Sequence, residues 1–493
     1  MNGADAVKQI HIRHLDKLFI AGAWVAPSSD GKIDVVSPVT EEVVFRVAEA
    51  REPDMDRAVD AARRAFDSGP WPRLSPTGRA AYLRRFGAGL MARSEELGHA
   101  WTCQIGVLHM MSKHAGAAAK SKFELYAGYA ATFEFEEVHT PSDGWGRVLL
   151  VREPVGVVVG IVAWNAPLSL ACNKIAPALL AGCPIILKAS PETPLEAYIM
   201  AEVAESIGLP AGVFNVVTAH RAASEHLVRN PGVDKVSFTG SSAAGRRIAS
   251  ILGERMARYT MELGGKSAAI VLDDMGVDEA VKSLTGSFCM LNGQVCAALS
   301  RVIVPRERHD DFADSFSAAL AALRPGDPYD ANSQLGPLAM KRQLERVQGY
   351  VAKGKDEGAK LVIGGSRPAG LNRGYYFEPT LFANVENSMV IAQEEIFGPV
   401  ISLIPADNEV DAIRIANDSI YGLNGAVMTH DNKRAYDVAR QVRTGNISQN
   451  RFGIDFGVAF GGFKQSGVGR EGGKEGLFPY LEVKTMLLDG AST

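Results

Sequence analysis

Nowhere in the 493 residues is there an apolar run long enough to cross a membrane. The most apolar stretch, Val155 to Trp164, is about half of what a spanning helix needs. The N-terminus also lacks a basic segment followed by an apolar one, so no secretory leader is read and a cytoplasmic location is expected. Cysteine is scarce: Cys103, Cys172, Cys183, Cys289 and Cys296, with no C-x-x-C. An odd, scattered set argues against a disulfide framework and against a zinc knuckle. His11 and His14 have no second ligand pair nearby, so they read as surface residues and no metal is expected. Blocks of one charge are missing too. Lys and Arg number 52 against 56 Asp and Glu, a net charge of −4, which indicates neither nucleic acid nor an anionic membrane as partner and leaves a small molecule.

What is present is ordinary globular material, 46% hydrophobic, in a chain about three times the length of a typical domain. From Asp54 to Leu97 alanines recur at helical spacing, broken at Pro70-Trp71-Pro72. From Val155 on, β-branched runs at 155–163, 185–188, 213–217 and 235–238 alternate with helical stretches at 175–181, 195–207 and 243–252. A second series of strands is expected at 268–272, 300–304, 400–404, 425–428 and 445–448. Strands alternating with helices imply parallel sheets covered by helices, hence an α/β fold in two parts. Between Thr132 and Val151 apolar and acidic residues alternate around the turn Pro141-Ser142-Asp143-Gly144, which predicts a hairpin arm suited to packing on another subunit.

Two segments carry the chemistry. A thiol is the most nucleophilic side chain near neutral pH, and Cys296 lies in Asn292-Gly293-Gln294-Val295-Cys296. A carboxylate able to take a proton or activate water, Glu262, lies in Glu262-Leu263-Gly264-Gly265-Lys266. Taken singly, each has a plainer reading, as a small buried hydrophobe and as a turn residue. Gly467-x-Gly469-x-x-Gly472 matches a dinucleotide fingerprint but has no strand before it and too little chain after it. Gly265-Lys266-Ser267 mimics the end of a phosphate loop, yet Thr260 stands where its first glycine belongs. A better phosphate site is Phe238-Thr239-Gly240-Ser241, where a strand gives way to a helix N-terminus. Lys188 ends a parallel strand, where open α/β sheets bind ligands. Asn165, after the apolar run, can donate an amide N–H to an oxyanion or make a turn before Pro167.

These motifs, with Glu395-x-Phe397-Gly398-Pro399 and Phe460-Gly461-Gly462-Phe463-Lys464, resemble in order and spacing those of the aldehyde dehydrogenase superfamily, nearly end to end. The resemblance implies a Rossmann-like cofactor domain over 1–133 and 153–262 and a catalytic domain over 263–463. It also implies an oligomerisation arm from 134–152 with the C-terminal segment 464–493, in a homodimer or homotetramer. It casts Cys296 as nucleophile, Asn165 as oxyanion donor, Glu262 as the base for hydrolysis and Lys174 as its proton relay. Lys188, Ser241, Gly240, Trp164, Glu395, Phe397 and Gly264 would hold NAD. Many relatives carry a glutamate three residues after the lysine; here Pro191 stands there and Glu192 follows, which leaves NADP open as well. Leu168, Leu170, Phe452 and Phe456 would line the substrate pocket, favouring a medium aliphatic, terpenoid or aromatic aldehyde, with Arg451 as a candidate anchor for any second carboxylate. Retention of Glu262 favours hydrolysis over transfer to coenzyme A; an esterase-like hydrolase and a non-catalytic relative are the remaining alternatives. The apolar run Val483 to Leu488 is expected to pair with a partner strand.

Overall fold

The computed structural model describes Asp5, residues 7–144 and residues 146–489. Five strands, each buried along most or all of its length, run parallel in the spatial order Arg258–Glu262, Lys235–Thr239, Val158–Ile161, Ile185–Ala189, Phe214–Thr218. Successive residues point to opposite faces: Ile185 and Leu187 enter one core and Ile186 the other. Burial on both faces is why these strands read as continuous β-branched runs instead of alternating ones. Val158–Ile161 is first in the chain yet central in the sheet, with later strands added on one side and then the other. The order therefore reverses beside it, and the crevice beyond the carboxyl ends there is where such sheets bind ligands. Short antiparallel strands close the edges, Leu18–Ile20 beside Phe214–Thr218 and Gly467–Val468 beside Met261-Glu262.

A second sheet has the order Lys360–Ile363, Thr380–Ala383, Val400–Ala406, Arg301–Pro305, Ala268–Val271, Gly425–Met428, Ser448–Gln449, parallel except for the first pair. It too divides its side chains between two cores, with Ala268 and Ile270 opposite Ala269 and Val271. A third, antiparallel sheet sets Arg147–Pro154 between Glu136–His139 and the C-terminal strand Leu481–Leu488.

Several expectations change. The run 155–163 contributes only Val158–Ile161, and the run at 445–448 yields only Ser448–Gln449. The strand Leu481–Leu488 pairs within its own chain, from Leu481 opposite Pro154 to Leu488 opposite Arg147; the arm hairpin thus finds a partner without a second subunit. The segment 464–493 is divided, Gly467–Val468 joining the cofactor sheet and only Leu481–Leu488 the arm. The helix Ala115–Thr132 has no counterpart in the sequence reading.

Candidate active site

Cys296 is presented by a strained loop. After the helix Val277–Phe288 the chain passes through Leu291 (φ 48°), Asn292 (φ 55°) and Gly293 (φ 73°). Two non-glycine residues in the left-handed region cost on the order of 1–2 kcal/mol each and persist only where surroundings hold them. Here they are held. The Asn292 amide donates to the Pro337 carbonyl at 2.7 Å and accepts from the Gly336 N–H at 3.1 Å. The Gln294 amide donates to the Leu291 carbonyl at 3.0 Å and accepts from the Ala339 N–H at 3.0 Å. Asn165 donates one of its two amide hydrogens to the Gln294 carbonyl at 2.9 Å, which fixes its head group beside Cys296 and leaves the second hydrogen for another acceptor.

Glu262 ends its strand and comes up against this loop. A Cβ on Gly265 would stand 2.3 Å from the Cys296 carbonyl, so glycine is needed for the two segments to meet. A Cβ on Gly461 would stand 2.7 Å from Glu262 Oε1, so the Phe460-Gly461-Gly462 segment closes directly on the carboxyl. Glu262 is 4% exposed and neither carboxyl oxygen has a hydrogen-bond partner. Burial, reinforced by the nearby Glu471 carboxylate, raises its pKa well above the usual range, with Lys174 and Arg470 pulling the other way. Burial pushes the Cys296 thiol up to about 12, with Glu395 and Glu262 adding to it.

Two cavities adjoin at Ser241, which lines both. One, of about 250 Å³, is lined by Trp164, Asn165, Leu170, Gly240, Glu262, Cys296, Glu395 and Phe397, among others. The other, of about 510 Å³, is lined by Lys188, Pro191, Glu192, Phe238, Arg247 and Arg342, among others. Ser241 caps the helix Ser242–Gly253, accepting the Ala244 N–H at 3.3 Å, and so sets the positive helix end where the cavities join. Burial draws the Lys188 ammonium down to about 8, opposed by Glu192. Burial would raise Glu192, but hydrogen bonds from Ser190 and Arg342 bring it below its ordinary value. Burial lifts Glu395 to about 7 against the Gly265 N–H, which donates to it at 3.2 Å. Phe397, at φ 62°, meets Trp164 edge-on at 5.2 Å, and its carbonyl accepts from Gln343 at 2.6 Å.

The structure thus gathers Cys296, Glu262, Asn165, Trp164, Gly240, Ser241, Glu395, Phe397 and Leu170 around one space, with Lys188 next door. Gly264 lies against Glu395, where a Cβ would be 2.5 Å from Oε2. Phe452 and Phe456 pack in the apolar cluster that contains Cys296. Leu168 is not brought there: its side chain lies in the core of the cofactor sheet. Lys174 is fully buried behind the site and donates to Thr239 Oγ1 at 2.8 Å and to Glu471 at 2.5 Å. Glu471 went unread in the sequence, although it lies inside the Gly467-to-Gly472 motif. That motif forms an edge strand and a turn from which no α-helix opens, and Glu471 is fixed by paired backbone hydrogen bonds with Phe460. Among the described residues no cluster of three or more His, Cys, Asp or Glu could hold a metal, and no helix is long and apolar enough to cross a membrane.

A doubly wound sheet whose switch point opens on a two-chambered cleft, with a thiol and a carboxyl at the inner end, has the layout of a dinucleotide site set beside a nucleophile. The chain belongs to the aldehyde dehydrogenase family, whose model matches residues 24–486. It is 42% identical to a geranial dehydrogenase of Castellaniella defragrans over 96% of this chain and 98% of that one. The structure of a Mycobacterium tuberculosis aldehyde dehydrogenase complexed with NAD+ superposes with a TM-score of 0.95 at 44% identity, covering 98% of this chain and 100% of that one. A cysteine-to-alanine variant of aldehyde dehydrogenase C from Pseudomonas syringae, complexed with NAD+ and octanal, gives a TM-score of 0.93 at 37% identity, covering 97% and 98%. The chain is accordingly an NAD(P)-dependent oxidoreductase acting on aldehydes.

Proposed function

We propose that this protein oxidises a medium-sized apolar aldehyde to its carboxylic acid through a thioester on Cys296. The observation that carries this reading is the meeting of Cys296, Asn165 and the unpartnered carboxyl of Glu262 around one cavity. Cys296 Sγ attacks the aldehyde carbon, forming the C–S bond of a thiohemiacetal, and the thiol proton leaves toward Glu262 or solvent. The second amide hydrogen of Asn165 faces the oxygen that gains charge, a contribution of roughly 3 kcal/mol in comparable sites. NAD(P)+, which Ser241, Lys188 and Glu395 would hold, would supply the hydride acceptor for oxidation of this adduct to the thioester. Glu262 then takes a proton from water as the water attacks the thioester carbon, the C–S bond breaks, and acid and thiol are released. The Lys174–Glu471 pair gives Glu262 a buried ionic neighbour through which its proton can leave.

The cleft fits a dinucleotide because Ser241 and its helix end stand between the two chambers, matching a pyrophosphate between two nucleosides. Lys188 and Glu192 would hold the adenosine ribose, and Glu395 the other ribose beside Phe397. Glu192 supplies a carboxylate in that chamber although Pro191 replaces the usual glutamate, which favours NAD over a 2′-phosphate. The apolar substrate is supported by Leu170, Phe452 and Phe456 near Cys296, and by the geranial and octanal named for the relatives. An aldehyde panel followed at the NAD(P)H absorbance, with NAD and NADP in parallel, tests the reading. Free acid with no coenzyme A present supports it; strict dependence on coenzyme A, or no NAD(P)H from any aldehyde, overturns it.

A further inference from the structure

A cation stands beside this apolar approach. Lys122, on the helix Ala115–Thr132, reaches across to the helix Pro167–Ala181 and donates to the Ser169 hydroxyl at 2.6 Å and the Ser169 carbonyl at 3.1 Å. Its Nζ also stands 4.4 Å from the ring centroid of Phe456, which packs with Phe460 in the cluster that includes Cys296. Ser169 precedes Leu170, whose side chain lines the catalytic cavity. One turn on, four residues from Ser169 and three from Leu170 on the same helix face, Asn173 is 2% exposed and its amide nitrogen has no hydrogen-bond partner. Burial pulls Lys122 down to about 8, with Cys172 and Glu471 opposing. A buried amide with nothing to donate to is unfavourable unless something supplies an acceptor.

Resting on the assignment of Cys296 and Asn165 above, we infer that Lys122 and Asn173 form one polar station in the otherwise apolar substrate approach, so that among medium-sized aldehydes those carrying an acceptor oxygen part-way along the chain are favoured. Ser169 lies in the first turn of the helix Pro167–Ala181, just beyond Asn165, so the acceptor belongs part-way along a chain whose aldehyde end meets Asn165. The shared chemistry is an oxygen able to take a charge-assisted hydrogen bond, from a neutral ketone or from a carboxylate. Such a bond is worth roughly a ten- to hundredfold preference. The sequence reading placed the anchoring cation at Arg451, but that side chain is exposed.

The test compares kcat/KM for octanal, 5-oxooctanal and 6-oxohexanoate in the wild type, Lys122→Met and Asn173→Leu. The inference expects one or both oxygen-bearing aldehydes to be favoured over octanal by about tenfold or more in the wild type. In Lys122→Met that ratio collapses, chiefly through KM, while octanal oxidation persists and reports that the variant is folded. Gain with 5-oxooctanal alone assigns a neutral acceptor, and gain with 6-oxohexanoate alone a carboxylate. Should Lys122→Met lose octanal oxidation too, the same collapse of the ratio in Asn173→Leu supports the station. A ratio unchanged in every variant able to oxidise octanal overturns it while leaving the proposed function intact. No oxidation of any aldehyde by the wild type overturns both.

Discussion

Cys296 and Glu262 both have raised pKa values, the thiol at about 12 and the carboxyl well above its usual range. Burial is the main cause for each, and carboxylate neighbours add to it: Glu395 and Glu262 at the thiol, Glu471 at Glu262. Raised values in acids that must act deprotonated have a definite sign. Attack needs the thiol to lose its proton and hydrolysis needs Glu262 to lose its own, so kcat/KM and kcat should both climb as pH rises from neutral into the alkaline range. A pH–rate profile that peaks on the acid side and falls toward alkaline pH would contradict this assignment. Cys296 and Glu262 were legible in the sequence because glycine-rich segments surround both and the order of motifs is distinctive. Glu471 was not, because its contact with Lys174 exists only once the C-terminal segment closes on Met261-Glu262. Leu168 was misplaced for a reason of phase: two residues from Leu170 along a helix is about 200° of rotation, and spacing alone does not say which of the two faces the cavity.

Among the elements, the loop before Cys296 shows how position is enforced. Its left-handed residues are pinned by side-chain amides reaching the segment 336–339 and by the approach of Gly265 to the Cys296 carbonyl. Gly265→Ala forces that carbonyl to move. A shift of order 1 Å in a nucleophile lowers rate about a hundredfold, so kcat should fall by that order while calorimetry still shows a cooperative, folded protein. Near-normal kcat in Gly265→Ala would mean that the loop position is not decisive. Strand cores were readable because burial on both faces gives unbroken β-branched runs. Their ends were less so: the apolar run from Val155 spans a junction between two sheets, since Arg147–Pro154 pairs with the C-terminal strand and Val158–Ile161 with the cofactor sheet. The helix Ala115–Thr132 escaped notice because alanine and glycine dominate it and mark no clear apolar stripe.

At the scale of the molecule, the arm sheet ends in a strand whose other edge pairs with no strand among the described residues and whose residues Val483 and Leu487 are 60% and 78% exposed. An open apolar edge invites pairing with another chain, which supports the expected homodimer or homotetramer. Val483→Lys with Leu487→Lys should lower the sedimentation coefficient toward that of the single chain; an unchanged coefficient would place the subunit contact elsewhere. The arm as a hairpin was legible from its turn, but pairing inside the chain was not, since strand partners far apart in sequence leave no local mark. The two large sheets meet so that one brings Glu262 and the dinucleotide cleft while the other carries Cys296, which sets the thiol and the water-activating carboxyl for successive use. Intact-protein mass of Glu262→Gln after a single turnover with octanal and NAD tests that succession most directly. A persistent acyl adduct on Cys296, absent in Cys296→Ala, is expected; unmodified protein with acid released at the wild-type rate would rule out a thioester on that thiol.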